Sequence, residues 1–241
     1  MITKNQIKLI RSLRLKKNRI KHNLFVAEGE KIVDELLESK FKLSYLFSTE
    51  NKYNSIKNHV SLKNQELKQI SSLKTPNKVL AVFEIPQENH IDYSQNIIAL
   101  EEINDPGNLG TIIRLCDWFG IKDIICSENS VDCFNPKTIQ ASMGSICRVN
   151  ISYVSFKNLI SNQKNNLIAA DMKGKNINNF PFKSNQIILF GSESNGLSDD
   201  LSNQIEDKIT IPRYNQNIDS LNLASSVAIV LSELKNKITE K

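Results

Sequence analysis

The segment NIIALEEINDPGNLGTIIRLCDWFGIKDIICSE, Asn96 to Glu128, decides the fold class. It contains the apolar run NIIALEEI, a turn, an amphipathic stretch that predicts a helix from about Leu109, and a second apolar run, IKDIICSE. Two strands joined through a helix are typical of a β-α-β unit, in which the strands are parallel. The segment therefore predicts an α/β protein with a parallel sheet.

The same alternation continues towards the carboxyl end of the chain. Strands are predicted in NISYVS, NLIAADM, QIILFG and KITIP, and helices over residues 136–142 and in FKNLISNQ, DDLSNQI and SLNLASSVAIVLSELKNK. Such a sheet is covered by helices on both faces. We expect this larger α/β domain to occupy residues 97–241.

A smaller α/β domain is predicted before it, over residues 1–92. Thr3 and Gln6 have the spacing of a capping box, which favours a short basic amphipathic helix at the start. A second helix is predicted over Ile32 to Leu37, strands in FKLSYLF and KVLAVFEIP, and a helix in LKQISSL between those strands. The polar stretch PQENHIDYSQN, residues 86–96, predicts the linker.

The composition predicts a globular, cytoplasmic protein. The chain has 241 residues, of which 40% are hydrophobic, enough for a sizeable core. It has no apolar run that could span a bilayer and no signal-peptide pattern at its start, so no membrane partner is expected. The four cysteines form no CxxC pair, and the three histidines all precede residue 96 while every cysteine follows it. Free thiols and no metal site are expected.

Positive charge is concentrated at the start of the chain. Residues 1–95 hold 17 Lys and Arg against 10 Asp and Glu, and eight of the first 21 residues are basic. This pattern favours a polyanionic partner, RNA above all, although a solubilising helix face has the same composition. The predicted RNA-binding residues are Lys4, Lys8, Arg11, Arg14, Lys16, Lys17, Arg19 and Lys21.

The turn NDPGNLG at residues 104–110 has features of a phosphate-binding loop, because it lies between an apolar run and an amphipathic one. It lacks both the GK[ST] ending of a P-loop and the GxGxxG spacing of a dinucleotide fold. A nucleotide-dependent hydrolase or oxidoreductase is therefore disfavoured.

The helix after this turn has a core face and an opposite polar face. On a helical wheel the core face holds Ile112, Leu115, Cys116 and Phe119, with Ile113 at its margin. The opposite face carries Arg114, flanked by Asp117 and Trp118. A subunit interface or a ligand cleft would explain the tryptophan. A surface pair between Arg114 and Asp117 is the simpler alternative.

Two later segments also place polar residues where strands end. ILFGSESNGLSDD puts a glycine turn after a buried strand, which is where α/β proteins bind ligands. KITIPRYNQNIDSLNLASSVAIV leads into a helix that is apolar or small on nearly all sides and so is predicted to be buried. Ser220 at its start is either an N-cap or part of a cleft.

Taken in order, NDPGNLGTIIRLCDWFG, ASMGSICRV, ILFGSESNGLS and IPRYNQNIDSLNLASSVA resemble the signature blocks of the SpoU (TrmH-like) family of RNA ribose 2′-O-methyltransferases. The resemblance covers about residues 97–232. RIKHNLFVAEGEKIVDELL also resembles the small RNA-binding domain that many members carry. The function implied is methylation of a ribose 2′-hydroxyl in structured RNA, with S-adenosylmethionine as cofactor.

The resemblance also implies the fold and the partners. The parallel sheet of the larger domain is expected to contain a deep trefoil knot near its carboxyl end. A homodimer with the site at the subunit boundary and no metal is expected. The cofactor is expected to be held by backbone groups of Gly191, Ile211 and Leu221.

Five side chains match positions that carry function in the family. Asn108 and Arg114 lie in the first block, Glu193 in the glycine-turn block, and Ser220 and Asn222 in the last block. Each also has a simpler explanation: Arg114 as half of a surface ion pair, Glu193 as a solvated loop acid, and the others as helix caps.

Two departures from the family pattern put cofactor affinity in doubt. Ser194 stands where glycine is common, and the loop from Pro212 to Asp219 lacks its usual glycine. We expect Asn215 or Asn217 to supply the left-handed conformation instead.

The role of Arg114 and the target RNA stay open. The family's arginine is usually assigned as the base, but a guanidinium resists deprotonation, so an oxyanion or phosphate clamp is the favoured role. Ribosomal RNA is favoured over transfer RNA because of the N-terminal domain. A non-catalytic RNA-binding assembly factor with the same fold is the alternative to an enzyme.

Overall fold

A computed structural model describes residues 2–87, 90–163, 166–193, 195–215 and 217–239. The chain divides into two compact units, residues 1–88 with 132–147 and residues 89–131 with 148–241. The first division falls inside the predicted linker. Residues 132–147, which the sequence assigns to the larger domain, pack with the first unit instead.

The elements follow the predicted alternation. The helices are α1 (Lys4–Ser12), α2 (Lys16–His22), α3 (Glu30–Leu37), α4 (Asn64–Ile70), α5 (Pro106–Trp118), α6 (Pro136–Ser142), α7 (Phe156–Gln163), α8 (Asp199–Ser202) and α9 (Leu223–Thr239). The strands are β1 (Leu24–Glu28), β2 (Leu43–Ser48), β3 (His59–Ser61), β4 (Val79–Glu84), β5 (Ile97–Leu100), β6 (Asp123–Ser127), β7 (Asn150–Val154), β8 (Leu167–Asn176), β9 (Ile187–Phe190) and β10 (Asp207–Thr210). In the described ranges, no helix is long and apolar enough to cross a membrane.

The first unit is built on a four-stranded sheet of order β1-β4-β2-β3. Strand β4 is antiparallel to both of its neighbours, and β2 pairs with β3 in parallel. Phe25 on β1 packs on Phe83 of β4 with ring centroids 5.8 Å apart, and Phe134 packs on Phe25 at 4.8 Å. Phe134 belongs to the segment 132–147, which therefore contributes to this core.

The first unit contains the predicted capping box of Thr3 and Gln6 at the start of α1. The sequence did not predict α2 or β3. Strand β3 has three residues and α2 has seven, so neither is long enough to show a clear hydrophobic period.

Arg19 of α2 is the largest buried polar group of the first unit. Its side chain is 2% exposed, and Nη2 lies 2.7 Å from Oδ2 of Asp132. Nη1 also donates to the carbonyl oxygens of Leu13 and Arg14 at 2.8 and 3.0 Å. The guanidinium is therefore paired and hydrogen bonded, as a buried charge requires.

The second unit is built on a six-stranded sheet of order β10-β8-β9-β5-β6-β7, in which every pair is parallel. This confirms the predicted parallel α/β fold. The chain proceeds outward from β5 through β6 to β7, and β9 then pairs with the other side of β5. In open parallel sheets, such a reversal of strand order creates a crevice at the carboxyl ends of the two strands.

Helix α5 begins at Pro106, three residues before the predicted start, because Asp105 caps it. Its buried face holds Ile112, Ile113 and Cys116, while Leu115 and Phe119 are half-buried. The buried face is therefore rotated towards Ile113 relative to the predicted core face. Phe119 is less buried than predicted because it is the C-cap, at the end of the helix.

Helix α9 begins at Leu223 and not at Ser220. Its prediction as buried on nearly all sides was wrong at Ile229, which is 40% exposed. Small and apolar residues around a helix do not show which of its faces a neighbouring element covers.

The Arg19–Asp132 pair gives a stability prediction. Asp132→Ala leaves a buried guanidinium without its carboxylate, and we expect the free energy of unfolding to fall by about 3 kcal/mol. Urea denaturation followed by circular dichroism measures this change. Lys78→Ala, which removes a 59% exposed partner of Glu30 and Glu50, is the control and should change stability by less than about 1 kcal/mol. Equal effects of the two substitutions would contradict the structural role of Arg19.

Candidate active site

Three loops meet at the carboxyl edge of the large sheet. They follow β5, β9 and β10 and lead to α5, α8 and α9. Because the strands are parallel, all three loops leave the sheet at the same edge. The loops after β5 and β9 come from adjacent strands, at the point where strand order reverses.

The loop after β5 positions Asn108 in the first turn of α5. Asp105 is the N-cap, and its Oδ1 accepts a hydrogen bond from the backbone N of Asn108 at 2.7 Å. Pro106 is the first helical residue, where its missing N–H costs no hydrogen bond. Cap and proline together fix the backbone, so the direction of the Asn108 side chain is set locally.

The side-chain amide of Asn108 joins all three loops. Its Nδ2 donates to Oε1 of Glu193 in the loop after β9, at 2.8 Å. Its Oδ1 accepts from Nδ2 of Asn222, in the loop after β10, at 3.0 Å. The structure thus brings together one predicted residue from each of three of the four signature segments.

Asn222 is the cap of α9. Its Oδ1 accepts from the backbone N of Ser225 at 3.2 Å while its Nδ2 reaches Asn108. The capping role that the sequence allowed for Asn222 and the contact with the first loop are therefore made by the same side chain. Ser220, the other predicted residue of this loop, is exposed and lies two residues before Asn222.

The glycine turn after β9 is closed by its own backbone. Ser192 and Gly196 exchange two backbone hydrogen bonds, each 3.0 Å long. Gly196 has φ of +69°, the left-handed region that favours glycine. A Cβ added to Gly191 would overlap the carbonyl carbon of Gly196 and the nitrogen of Leu197. Only glycine therefore fits at position 191 in this turn.

The end of the glycine turn is attached to the end of β5. The backbone N of Ser198 donates to Oε2 of Glu101 at 2.8 Å, and the backbone N of Glu101 donates to the carbonyl oxygen of Phe190 at 2.8 Å. Glu101 and Asp105 were not predicted as site residues from the sequence. An Asp-Pro pair before an apolar helix is a recognisable cap signal, whereas an acid after a strand resembles any solvated acid.

The three positions expected to hold the cofactor follow strand ends. Gly191 directly follows β9 and is buried, and Ile211 directly follows β10 and is half-buried. Leu221 precedes α9 and is 51% exposed. The sheet edge thus presents backbone from two loops and one exposed apolar side chain.

Of the two departures from the family pattern, the one at Ser194 lies outside the described residues. The other is in the loop from Pro212 to Asp219. Asn215 does not adopt a left-handed conformation; its Oδ1 accepts from the backbone N of Asn217 at 3.0 Å. The expectation that Asn215 or Asn217 replaces the missing glycine by a positive φ is therefore wrong for Asn215, whose side chain forms a turn hydrogen bond, and stays a prediction for Asn217.

Arg114 lies on the exposed face of α5, away from the Asn108 amide. It follows Asn108 by six residues, which is about 9 Å along the helix axis. Among the described residues it has no hydrogen-bond or ion-pair partner. The alternative of an Arg114–Asp117 surface pair is therefore wrong: Asp117 forms a forked ion pair with Arg148, with Nη2 2.8 Å from Oδ2.

The cysteines offer no nucleophile in this region. Cys116 is fully buried on α5, and burial raises the pKa of its thiol well above the ordinary value. Over the part of the chain that is described, no group of three or more His, Cys, Asp or Glu side chains is placed to hold a metal ion. The polar groups that form hydrogen bonds at the sheet edge include the amides of Asn108 and Asn222, backbone groups, and the carboxylates of Glu101, Asp105 and Glu193.

The predicted RNA-binding residues of the first unit divide into three groups. Arg19 is buried against Asp132, so its prediction as an RNA contact is corrected: the ion pair shields it from solvent. Arg11 and Arg14 donate to the carbonyl oxygens of Gln69 and Ser71 at the end of α4, at 2.7 and 2.6 Å. The remaining five are exposed and make no ion pair with any described residue: Lys4, Lys8, Lys16, Lys17 and Lys21.

Comparison with known proteins places these features in a family. The model of the SpoU rRNA methylase family matches residues 95–232, which include all three loops of the sheet edge. The chain belongs to the SpoU rRNA methylase family. A model described as an MRM3-like substrate binding domain matches residues 4–81.

Relatives match over nearly the whole chain. The 23S rRNA (guanosine(2553)-2′-O)-methyltransferase RlmP of Bacillus subtilis is 26% identical over 96% of this chain and 97% of its own. A putative RNA methyltransferase of the TrmH family from Porphyromonas gingivalis is 32% identical, with a TM-score of 0.90, covering 98% of this chain and 99% of that one. An AdoMet-bound rRNA methyltransferase from Sinorhizobium meliloti is 28% identical, with a TM-score of 0.87 and coverage of 98% and 96%.

The Asn108 contacts predict a pH-dependent effect of one substitution. Asn108→Asp replaces the donor to Glu193 by a second carboxylate, so the pair repels at pH 7 and the loops separate. We expect faster hydrogen exchange at the amides of Gly196 and Ser198 than in the wild type. At a pH low enough to protonate carboxyl groups the repulsion is removed, and the difference should shrink.

Asn104→Asp, at an exposed position of the same loop, is the matched control and should leave exchange in the glycine turn unchanged. Equal exchange in both variants would show that the Asn108–Glu193 hydrogen bond does not hold the turn.

Proposed function

We propose that this protein methylates a ribose 2′-hydroxyl of ribosomal RNA with S-adenosylmethionine as the methyl donor. The observation that carries the proposal is the Asn108 amide, which joins Glu193 and Asn222 at the carboxyl edge of the sheet. These residues come from three of the four segments by which the chain resembles its family. The AdoMet-bound relative, aligned over 98% of this chain, supports the choice of cofactor.

The residues at the sheet edge fit this cofactor. Gly191 has no room for a side chain, so this position can offer only backbone groups to the cofactor. Leu221, with 51% of its surface exposed, offers an apolar face to an adenine ring. We therefore assign cofactor binding to Gly191, Ile211 and Leu221. When bound, S-adenosylmethionine supplies an electrophilic methyl group.

The chain's own residues then position the nucleophile. We assign the Asn108, Glu193 and Asn222 side chains to holding the loops that surround the reacting ribose, with Ser220 as a further hydroxyl at the same loop. Positioning the ribose oxygen in line with the methyl group is the main requirement of this transfer. Glu193 keeps a second carboxylate oxygen, Oε2, which can accept a hydrogen bond from the ribose.

Arg114 is assigned as an electrostatic clamp and not as the base. A guanidinium presents five donors and does not lose a proton near neutral pH. Arg114 is exposed and has no partner among the described residues, so its donors are available to a phosphate or to a ribose oxygen that is losing its proton. Proton removal is left to a neighbouring RNA phosphate or water.

The RNA is expected to bind the first unit through its exposed lysines. Lys4 and Lys8 are four residues apart on α1, and Lys17 and Lys21 are four residues apart on α2, so each pair shares a helix face. The relative RlmP, which acts on 23S rRNA, matches the chain from end to end, and this favours ribosomal over transfer RNA.

A homodimer is part of the proposal. Trp118 on α5 is 84% exposed, and Ile229 on α9 is 40% exposed. The two helices pack together within the second unit. Large apolar side chains exposed on two packed helices are typical of a subunit interface. A trefoil knot and a cytoplasmic location, both expected from the sequence, also belong to this proposal.

The function is tested with purified protein, ribosomal RNA and radiolabelled S-adenosylmethionine. We expect label at a ribose 2′-oxygen and binding of S-adenosylhomocysteine by calorimetry. The alternative, a non-catalytic assembly factor, predicts RNA binding without either result. Failure to bind S-adenosylhomocysteine at millimolar concentration would exclude the enzyme.

Arg114→Lys keeps the charge and removes the forked geometry. We expect the single-turnover rate to fall about 100-fold, the size of effect seen when one preorganised donor to a developing oxyanion is lost. Arg148→Lys, which alters a guanidinium bound to Asp117 of the same helix, is the control and should change the rate by less than about threefold. A rate for Arg114→Lys close to the wild type would rule out the clamp.

Replacing the five exposed lysines of α1 and α2 by glutamine should weaken RNA binding. Each lost phosphate contact makes the slope of log affinity against log salt shallower by about 0.7 to 0.9. Affinity measured between low and moderate salt gives this slope. The control replaces five other exposed lysines of the same unit, Lys40, Lys42, Lys57, Lys68 and Lys74. An equal loss in both variants would mean that total charge, and not the surface of α1 and α2, determines binding.

A further inference from the structure

The loops after β5 and β9 are joined by two contacts that run in opposite directions. Glu193, in the middle of the glycine turn, accepts from Asn108 of the loop after β5 at 2.8 Å. Glu101, at the start of the loop after β5, accepts from Ser198 at the end of the glycine turn at 2.8 Å. The glycine turn is thus held both at its middle and at its end.

In the second contact, the donor is the backbone N of Ser198. Ser198 is the N-cap of α8, and its own side chain makes no capping hydrogen bond. Helix α8 has four residues, too few to be stable as an isolated helix. A carboxylate that accepts from a backbone N–H forms a charge-assisted hydrogen bond, which is stronger than one between neutral groups.

The backbone of Glu101 is itself held in place. Its backbone N donates to the carbonyl oxygen of Phe190, which continues the pairing of β5 with β9. Glu101 is half-buried, whereas the adjacent Glu102 is exposed. Glu101 therefore connects a rigid strand end to the end of a turn.

The backbone at the end of the glycine turn lies very close to Gly191, at its start. The carbonyl carbon of Gly196 and the nitrogen of Leu197 lie where a Cβ of residue 191 would be. Leu197 directly precedes Ser198, the residue that Glu101 holds. A shift of Ser198 away from β5 would therefore also move the backbone that closes over Gly191.

We propose that Glu101 is a positioning residue for the cofactor site, which keeps the glycine turn in its closed conformation through Ser198. This inference rests on the proposed function, in which Gly191 contributes backbone groups to the cofactor. Glu101 touches neither the cofactor nor the ribose. It sets how tightly the cofactor binds and leaves the chemical step unchanged.

Three substitutions at this position separate the hydrogen bond from the charge. Glu101→Ala removes the acceptor. Glu101→Asp keeps the charge but is one methylene shorter, and cannot span the same distance from a fixed strand end. Glu101→Gln removes the charge but keeps an amide oxygen at the same place. The control for charge near the sheet edge is Glu102→Gln, which alters the adjacent, exposed carboxylate.

Calorimetry with S-adenosylhomocysteine gives the first readout. We expect Kd to rise about tenfold or more for Glu101→Ala and Glu101→Asp, in which the hydrogen bond from Ser198 is lost. We expect a rise of less than about threefold for Glu101→Gln, which keeps a neutral acceptor for Ser198, and for Glu102→Gln, which leaves this hydrogen bond untouched. Methylation kinetics give the second. KM for S-adenosylmethionine should rise in the same order, while kcat at saturating cofactor stays within about twofold of the wild type.

Several results would overturn the proposal. Unchanged Kd in Glu101→Ala would do so, as would a loss in Glu101→Gln equal to that in Glu101→Ala, which would assign the effect to charge. A fall in kcat with unchanged KM would place Glu101 in the chemical step. If circular dichroism shows that Glu101→Ala is unfolded, the comparison of Glu101→Asp with Glu101→Gln decides the question.

The wild-type arm separates this proposal from the proposed function. If the wild-type protein does not bind S-adenosylhomocysteine, the proposed function fails and the role of Glu101 in cofactor binding fails with it. If the wild type binds and Glu101→Ala binds equally well, the role of Glu101 fails alone and the proposed function stands.

Discussion

The side-chain amide of Asn108 is the contact on which the organisation of the sheet edge depends. An amide carries a donor and an acceptor a short distance apart, so one residue can hold two loops in different directions. Here the donor holds Glu193 and the acceptor holds Asn222. Neither a carboxylate, which lacks the donor, nor an aliphatic side chain could do the same. The N-cap at Asp105 makes this possible, because it fixes the backbone from which the amide extends.

The glycine turn adds a constraint of a different kind, since it depends on space and not on a side chain. Position 191 has no room for a Cβ, and Gly196 adopts a left-handed conformation. The turn therefore brings backbone groups close together at the carboxyl edge of a parallel sheet, where such folds bind ligands. Asn108 and Glu101 add side-chain hydrogen bonds to Glu193 and Ser198 of this segment. Backbone groups and a few exposed polar side chains are sufficient for a reaction that requires positioning.

Much of the fold could be predicted from the sequence, because the patterns that determine it are local in the chain. The β-α-β pattern from Asn96 to Glu128 gave the parallel sheet, and Thr3 with Gln6 gave the start of α1. The pairing of Arg19 with Asp132 could not be predicted, because the partners are far apart in the chain and neither lies in a recognisable motif. The family resemblance predicted Asn108, Glu193 and Asn222 as site residues, but no spacing shows that they share hydrogen bonds. Glu101 was missed for the same reason.

The central claim is that the residues joined at the sheet edge serve the methylation of ribosomal RNA. It is tested most directly by mapping ribose methylation in ribosomal RNA from cells that contain the wild-type protein, no protein, or the Asn108→Ala variant. The account predicts a 2′-O-methyl group that is present with the wild type, absent without the protein, and absent or strongly reduced with the variant. An identical methylation map in all three would contradict it.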